Sequence, residues 1–176
     1  MQRSFVLLTV VSMLTVFSYA QDVPKAEVFG GYQYTRLDGQ GVVPDINANG
    51  WNGAITENLN HWFGVTGDFS GAYAKVLGAD TNLYTYTFGP VIATRANDSF
   101  TPFVHALFGG FHASAGAGGF SASTSGFATQ VGGGVDAKLG PSLAVRVAQF
   151  DWMLLRSEGE TSKKNIRVST GLVFRF

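Results

Sequence analysis

The sequence predicts an all-β chain folded as one eight-stranded antiparallel up-and-down transmembrane β-barrel. Three observations predict it. First, runs of about ten residues alternate between apolar and polar side chains and are bounded by Gly, Asn, Asp, Ser or Pro, the pattern of a membrane barrel strand. Second, only 14% of the 176 residues are charged, while 14% are aromatic and 23 are glycine. Soluble domains carry roughly a quarter charged residues, so much of this surface is not built to face water. Third, Arg3, the apolar stretch Phe5 to Phe17 and the small residues Ser18 and Ala20 read as a secretory signal peptide over residues 1–20, cleaved after Ala20. That stretch is shorter than the ~20 residues a membrane helix needs. Its removal leaves residues 21–176 as the barrel domain. Arg3 is lost with it from a chain of 12 basic and 12 acidic residues, so one net negative charge remains.

The first run, Ala26 to Leu37, sets Val28, Tyr32 and Tyr34 against Glu27, Gln33 and Thr35. In the second, Gly50 to Leu59, Trp51, Ile55 and Leu59 oppose Asn52, Thr56 and Asn58; Glu57 falls on the apolar face near the turn, within reach of headgroups. The third, Trp62 to Tyr73, sets Phe63, Val65, Phe69 and Tyr73 against Thr66, Asp68 and Ser70. The fourth, Asn82 to Ala93, sets Tyr84, Tyr86, Phe88 and Ile92 against Thr85, Thr87 and Gly89, with Pro90 tolerable only near a strand end or bulge.

The fifth, Thr101 to Phe111, is apolar on both faces; Val104, Ala106 and Phe108 are assigned outward and His105 inward. In the sixth, Phe127, Val131, Val135, Ala137 and Leu139 alternate with Gln130, Gly132, Gly134, Asp136 and Lys138. Gly132 and Gly134 leave room for bulky partners such as Trp62 or Phe111, or permit curvature. The seventh follows the turn Gly140-Pro141-Ser142, with Leu143, Val145 and Val147 opposing Ala144 and Arg146. Strict alternation would then expose Gln149 and Asp151, so a one-residue bulge is predicted near Ala148-Gln149, returning Phe150 and Trp152 to the outside. In the eighth, Ile166, Val168, Leu172, Phe174 and Phe176 share a face with Thr170, against Asn165, Arg167, Ser169, Gly171, Val173 and Arg175.

Eight alternating strands also describe a soluble periplasmic barrel with an apolar ligand cavity. The polar faces argue against it, being Ser, Thr, Asn, Gln and Gly with few charges, as in a packed polar lumen. Aromatic residues stand near run ends, at Trp51, Trp62, Tyr73, Tyr84, Phe127, Trp152 and Phe176, where a membrane barrel carries its girdles. A mid-membrane Arg or Lys on the lipid face costs about 2–4 kcal/mol, so Asp68, Asp136 and Arg146 should enter the lumen. With Gly140-Pro141-Ser142 as the turn, Asp136 and Arg146 fall opposite each other, and a cross-strand salt bridge is expected.

The last run carries a resemblance. Ser169-x-Gly171-x-x-Phe174-x-Phe176 looks like the carboxy-terminal tail read by the barrel-assembly machinery of bacterial outer membranes. From Gly30-Gly31-Tyr32 through Gly132-Gly133-Gly134-Val135-Asp136 to Phe176, the chain resembles the small outer-membrane barrel family related to the membrane domain of OmpA, without its peptidoglycan-binding domain. The resemblance implies residence in the bacterial outer membrane and contact with outer-membrane lipids and lipopolysaccharide, with a monomer as the favoured state.

Chemistry is sparse. Without cysteine there is no thiolate site or nucleophile, and the balanced charge gives no footprint for nucleic acid. Asp45-x-Asn47-x-Asn49-Gly50 opens like a calcium loop, yet Thr56 holds the twelfth position, where a bidentate Glu belongs. An Asx-rich turn explains it better, and no metal or cofactor is expected. Of the histidines, His61 falls in a periplasmic turn and His105 mid-strand, which leaves His112 with Ser114 near the outer rim as the only pair for a lipid A-modifying enzyme. Outer loops are expected at 38–49, 74–81, 112–125 and 157–163, the third mobile. In the fourth, Glu158, Glu160, Lys163 and Lys164 form a charge pattern able to meet lipopolysaccharide phosphates, though a solvated loop is the simpler reading. An eight-stranded barrel is just filled by its side chains, so a narrow pore is a minor alternative. The expected role is structural or surface interaction, without catalysis.

Overall fold

The structure, a computed structural model, describes residues 23–39, 45–76, 78–97, 99–118, 120–157 and 159–176. The signal peptide expected over residues 1–20, part of the first outer loop, and Glu158 lie outside them. Eight strands follow in chain order: β1 (Ala26–Leu37), β2 (Ile46–Asn58), β3 (Phe63–Val76), β4 (Ala79–Ala93), β5 (Phe100–Ala117), β6 (Phe120–Lys138), β7 (Leu143–Ser157) and β8 (Glu160–Arg175). Each pairs antiparallel with its sequence neighbour, and β8 returns to β1, closing the barrel. Closure leaves no strand edge within the lipid-facing wall, which matters because lipid cannot hydrogen-bond a free backbone group.

The faces divide as lipid demands. Outward stand Ile55, Val104, Phe108, Phe88 and Val131, each about half exposed, while Gln33, Asn52, Gln130, Gln149 and Arg167 are fully buried inside. An apolar exterior around a polar interior is the inverse of a soluble ligand barrel. Toward the outer end, Trp51 Nε1 donates to the Tyr73 hydroxyl at 3.1 Å and Tyr73 packs edge-on against Tyr84, tying the girdle across β2, β3 and β4.

At their outer ends the strands run further than the alternation indicates. β2 begins at Ile46 rather than Gly50, and β5 and β6 continue to a turn at Gly118. The Gly/Ala/Ser tract expected to be a mobile loop over 112–125 is therefore ladder, paired from His112↔Ser125 to Ala117↔Phe120. Above the membrane a strand needs no apolar face, so the pattern used to find strands stops before the pairing does. The outer turns close on glycines at positive φ, Gly78, Gly118 and Gly159, a conformation other residues adopt at a cost.

The bulge on β7 falls one residue earlier than expected. Against β6 the ladder passes from Val135↔Ala148 to Asp136↔Arg146, skipping Val147. Against β8 it passes from Arg146↔Gly171 to Gln149↔Ser169, which sets Thr170 beside the extra residue. The Thr170 hydroxyl donates to the Arg146 carbonyl at 2.9 Å. The one polar residue on the lipid face of β8 thus serves a carbonyl at the irregularity. Thr170→Val, which keeps the shape and removes the donor, is expected to lower stability by about 1–3 kcal/mol, with Thr170→Ser close to the parent; the urea midpoint for unfolding from lipid vesicles measures both.

Candidate functional site

Inward-facing side chains build two layers. The lower layer, from the periplasmic end to mid-barrel, is a continuous chain of charge. Arg95, on the turn between β4 and β5, reaches Glu27 at 3.1 Å; Glu27 meets Arg175 at 3.6 Å, and Arg175 lies 3.9 Å from Asp136. Asp136 and Arg146 face each other across β6 and β7, with Arg146 Nε donating to Asp136 Oδ1 at 2.8 Å and Nη2 to Oδ2 at 3.2 Å. Arg146 Nη1 then donates to Gln149 Oε1 at 2.7 Å, and Gln149 Nε2 to Asp151 Oδ2 at 2.8 Å. The Arg146 guanidinium is also held between the Phe29 and Phe103 rings, 4.3 Å from each centroid, a favourable stack for a cation out of water.

The chain ends on Arg167, whose side chain has no exposed surface. Its Nη1 donates to Asp68 Oδ1 at 2.7 Å, its Nη2 to Gln130 Oε1 at 2.9 Å and its Nε to Asp151 Oδ2 at 2.8 Å. Asp151 also lies 2.8 Å from His105 Nε2, and Asp68 accepts from Asn52 Nδ2 at 2.9 Å. Four guanidinium groups, on Arg95, Arg175, Arg146 and Arg167, thus alternate with four carboxylates, on Glu27, Asp136, Asp151 and Asp68. Such a chain has no net charge and joins five of the eight strands and the turn between β4 and β5. The space left among these groups is about 20 Å³, roughly one water.

The upper layer is apolar. Ala48, Ala72, Leu83, Phe111, Ala128 and Met153 form a buried cluster, with Leu37, Ala113 and Leu155 against it. This inward collar is absent from the sequence reading, which assigns the lumen to polar residues; its one signal there is the fifth run, apolar on both faces. Above it the barrel opens outward as a cavity of about 280 Å³.

The remaining sequence candidates find other partners. His112 Nδ1 pairs at 2.8 Å with Ser125 Oγ, its cross-strand neighbour, rather than with Ser114, two residues along the same strand. Asn47 and Asn49 accept from Tyr34 and Tyr32 across β1 and β2. Asp45 binds Arg36 at 2.7 Å; that hydrogen bond, with one from the Gly39 N–H, holds its carboxyl below the usual range. These side chains tie β1 to β2, and Asn47, Asn49 and Gly50 lie in the β2 ladder rather than in the Asx-rich turn expected there, because the pairing runs on past the last apolar residue on the outward face of the strand. Gly132 and Gly134 accommodate neither Trp62 nor Phe111: a Cβ on Gly132 would meet Asp151 Oδ1 and the Phe150 carbonyl, and one on Gly134 the Phe103 ring. They give way to the charge chain and to the ring that flanks Arg146. In the carboxy-terminal motif, Ser169 is buried, Phe174 and Phe176 face outward, and Gly171 sits where a Cβ would strike the Gly30 carbonyl on β1.

A family model of the outer membrane protein beta-barrel domain matches residues 5–176. The chain belongs to this family. Its place is accordingly the bacterial outer membrane. No curated protein matches. Among solved structures this outer-membrane barrel is similar to Neisserial surface protein A, with TM-score 0.73 and 13% identity over 86% of this chain and 97% of that one. It is also similar to Ail, the attachment invasion locus protein of Yersinia pestis, with TM-score 0.65 and 21% identity over 88% and 99%, and to OprG of Pseudomonas aeruginosa, with TM-score 0.53 and 13% identity over 88% and 96%. At these identities the likeness is one of fold.

Removing one partner from a buried charge pair leaves the other uncompensated, at a cost of about 3–5 kcal/mol. Asp151→Ala is therefore expected to destabilise this outer-membrane barrel by that amount, read from unfolding in lipid vesicles. Arg36→Ala, which breaks only an exposed pair, should leave the midpoint unchanged.

Proposed function

We propose that the chain is a sealed outer-membrane barrel, a rigid non-catalytic platform that holds its outer hairpins at the cell surface for structural or surface-interaction use. The observation that carries this reading is the charge-balanced chain through the lumen, whose residual space of about 20 Å³ leaves no room for a conduit. The outer hairpins support it as well, since β5 and β6 are 18 and 19 residues long against 12 in β1 and extend well beyond the girdle. Ail, similar in fold, is named for attachment and invasion and has been solved with a heparin analogue.

Outer-membrane lipids and lipopolysaccharide are the surrounding partners in this reading. Arg36, Lys75 and Arg156 are exposed and continue the outward faces of β1, β3 and β7 past Tyr34, Tyr73 and Trp152, the level at which lipid phosphates lie. The carboxy-terminal Ser169, Gly171, Phe174 and Phe176 are the signal for the barrel-assembly machinery, with Phe174 and Phe176 presented outward. In planar bilayers the purified protein is expected to give no unitary current steps; regular steps would overturn the sealed platform.

A second reading rests on His112 and Ser125, an imidazole and a hydroxyl 2.8 Å apart near the outer rim. That is the beginning of an acyl-transfer pair, although among the described residues no carboxylate hydrogen-bonds His112 to orient it. The platform reading expects lipid A composition to be the same in cells carrying the parent or His112→Ala, by mass spectrometry. A lipid A species that disappears with the imidazole would favour the enzyme.

A further inference from the structure

The outer hairpins rise to different heights, and the stagger leaves strand edges uncovered beyond the girdle. β6 stays paired with β5 out to Ala117↔Phe120, whereas its ladder with β7 ends at Phe127↔Arg156. Among the described residues no strand covers the other edge of β6 from Ser121 to Ser125, a length that is exposed throughout. The Ser157 hydroxyl, at the end of β7, donates to the Ser125 carbonyl at 2.9 Å, so that carbonyl faces the open side. Backbone groups alternate in direction along an antiparallel strand, and Ser123 and Ser121 therefore turn their N–H and C=O groups the same way.

Proteins blunt such edges with charge, above all with Lys. The free outer length of β8, past its last pair with β1 at Ile166, carries exposed Glu160, Lys163 and Lys164. The free ends of β3 (74–76) and β2 (46–48) are short, and the first carries Lys75 while the second follows directly on Asp45. From Ser121 to Ser125 β6 has no charge and no proline, and its register with β5 runs without a bulge. It is an unguarded template for strand addition.

The edge also specifies what it takes. Ala122 and Thr124 stand opposite Ala115 and Ala113, on the face that Ala113 shares with the buried collar; Ser121 and Ser123 stand on the other face, with Ser114 opposite Ser123. An added strand is thus offered small apolar contacts on one side and hydroxyls on the other, and a charge on either side would meet no partner. A second copy in the same membrane does not fit. Barrel strands tilt by about 35–45°, so two upright barrels related by a twofold axis along the membrane normal would cross their β6 edges at roughly twice that angle, far from the ~20–25° between neighbours in a sheet. We propose that the outer edge of β6 takes an extended, uncharged segment of another protein as an added antiparallel strand, with small apolar residues facing Ala122 and Thr124 and hydroxyl residues facing Ser121 and Ser123. This deepens the platform reading by naming the kind of partner the hairpins hold; current steps in planar bilayers would sink that reading without touching the edge, and failure of the edge would leave the sealed barrel standing.

The probe is acetyl-Thr-Val-Thr-Val-Thr-Val-Thr-amide in two forms, N-methylated at its valines or at its inner threonines, titrated into the full barrel held singly in phospholipid nanodiscs with backbone ¹⁵N label. Residues directly opposite Ser121 and Ser123 exchange both backbone hydrogen bonds with them, and these are the threonines of the probe. The valine-methylated form is therefore expected to shift the Ser121 and Ser123 amides saturably and to slow their exchange with solvent, with at least tenfold higher affinity than the threonine-methylated form. Ser123→Pro removes a donor that the β5 ladder does not use, and should abolish the saturable shifts while the protein keeps its heat-dependent migration in SDS; if that variant fails to fold, the two peptides decide alone. Equal affinity of the two forms, shifts that never saturate, or equal shifts along the charged edge at Lys163 and Lys164 would each overturn the proposal. So would efficient disulfide dimers of Ser123→Cys in lipid vesicles, which would assign the edge to a second copy.

Discussion

Arg167 carries its charge where no solvent reaches, and the arrangement of the lumen follows from the need to neutralise it. One carboxylate would not suffice, because a guanidinium has five N–H donors in a fixed fork and each one left unpaired in a dry interior is costly. Asp68, Asp151 and Gln130 together meet the fork. Asp151 then needs further donors, which His105 and Gln149 supply, and Gln149 brings in Arg146. The demand moves from group to group until it reaches Arg95 and Glu27 at the periplasmic end, where the chain of ion pairs finishes on a turn. The polar network is thus connected by necessity, and it draws on β1, β2, β3, β5, β6, β7 and β8 as well as that turn. Strands distant in sequence are locked together by it, in a fold whose ladder joins mainly sequence neighbours.

The sequence makes the membrane-facing half of this structure legible and the lumen much less so. Lipid tolerates only apolar side chains, so the outward residues from Val28 to Phe176 carry a strict pattern, and strand parity can be read wherever that pattern holds. Asp136 and Arg146 are placed by turn arithmetic because the hairpin between them is short. Arg167 and Asp68, 99 positions apart, meet only through the curvature and closure of the barrel, and nothing local announces them. The outer strand ends are illegible for a third reason, since above the bilayer the alternation that marks a strand is no longer required. His112 illustrates the same limit: its neighbour along the chain is Ser114, but its neighbour across the ladder, Ser125, makes the hydrogen bond.

Small residues shape the interior as much as charged ones do. Gly132 is set against Asp151 and Gly134 against Phe103, so the wall of β6 is thinnest where the charge chain and the ring beside Arg146 need room. Gly171 allows β8 to approach β1 at the seam that closes the barrel. The terminal motif therefore has a packing reason for its glycine that is separate from any role in recognition. On the lipid face Gly67, Gly71 and Gly110 lie under Phe88, Trp51 and Tyr86, so glycine makes room on both faces, for rings against the lipid and for long polar side chains in the lumen.

The extra residue on β7 has a bearing on how the barrel comes to be threaded correctly. Without Val147 as a surplus position, every residue beyond it would exchange faces. Gln149 and Asp151 would then lie among acyl chains, Phe150 and Trp152 would crowd the lumen, and Arg146, His105 and Arg167 would each lose a partner. A β7 inserted one place out of step is consequently no shallow neighbouring minimum but a state rejected by the bilayer and the interior at once. The strand edits its own insertion, and the irregularity that interrupts the ladder is what leaves the barrel a single way to close.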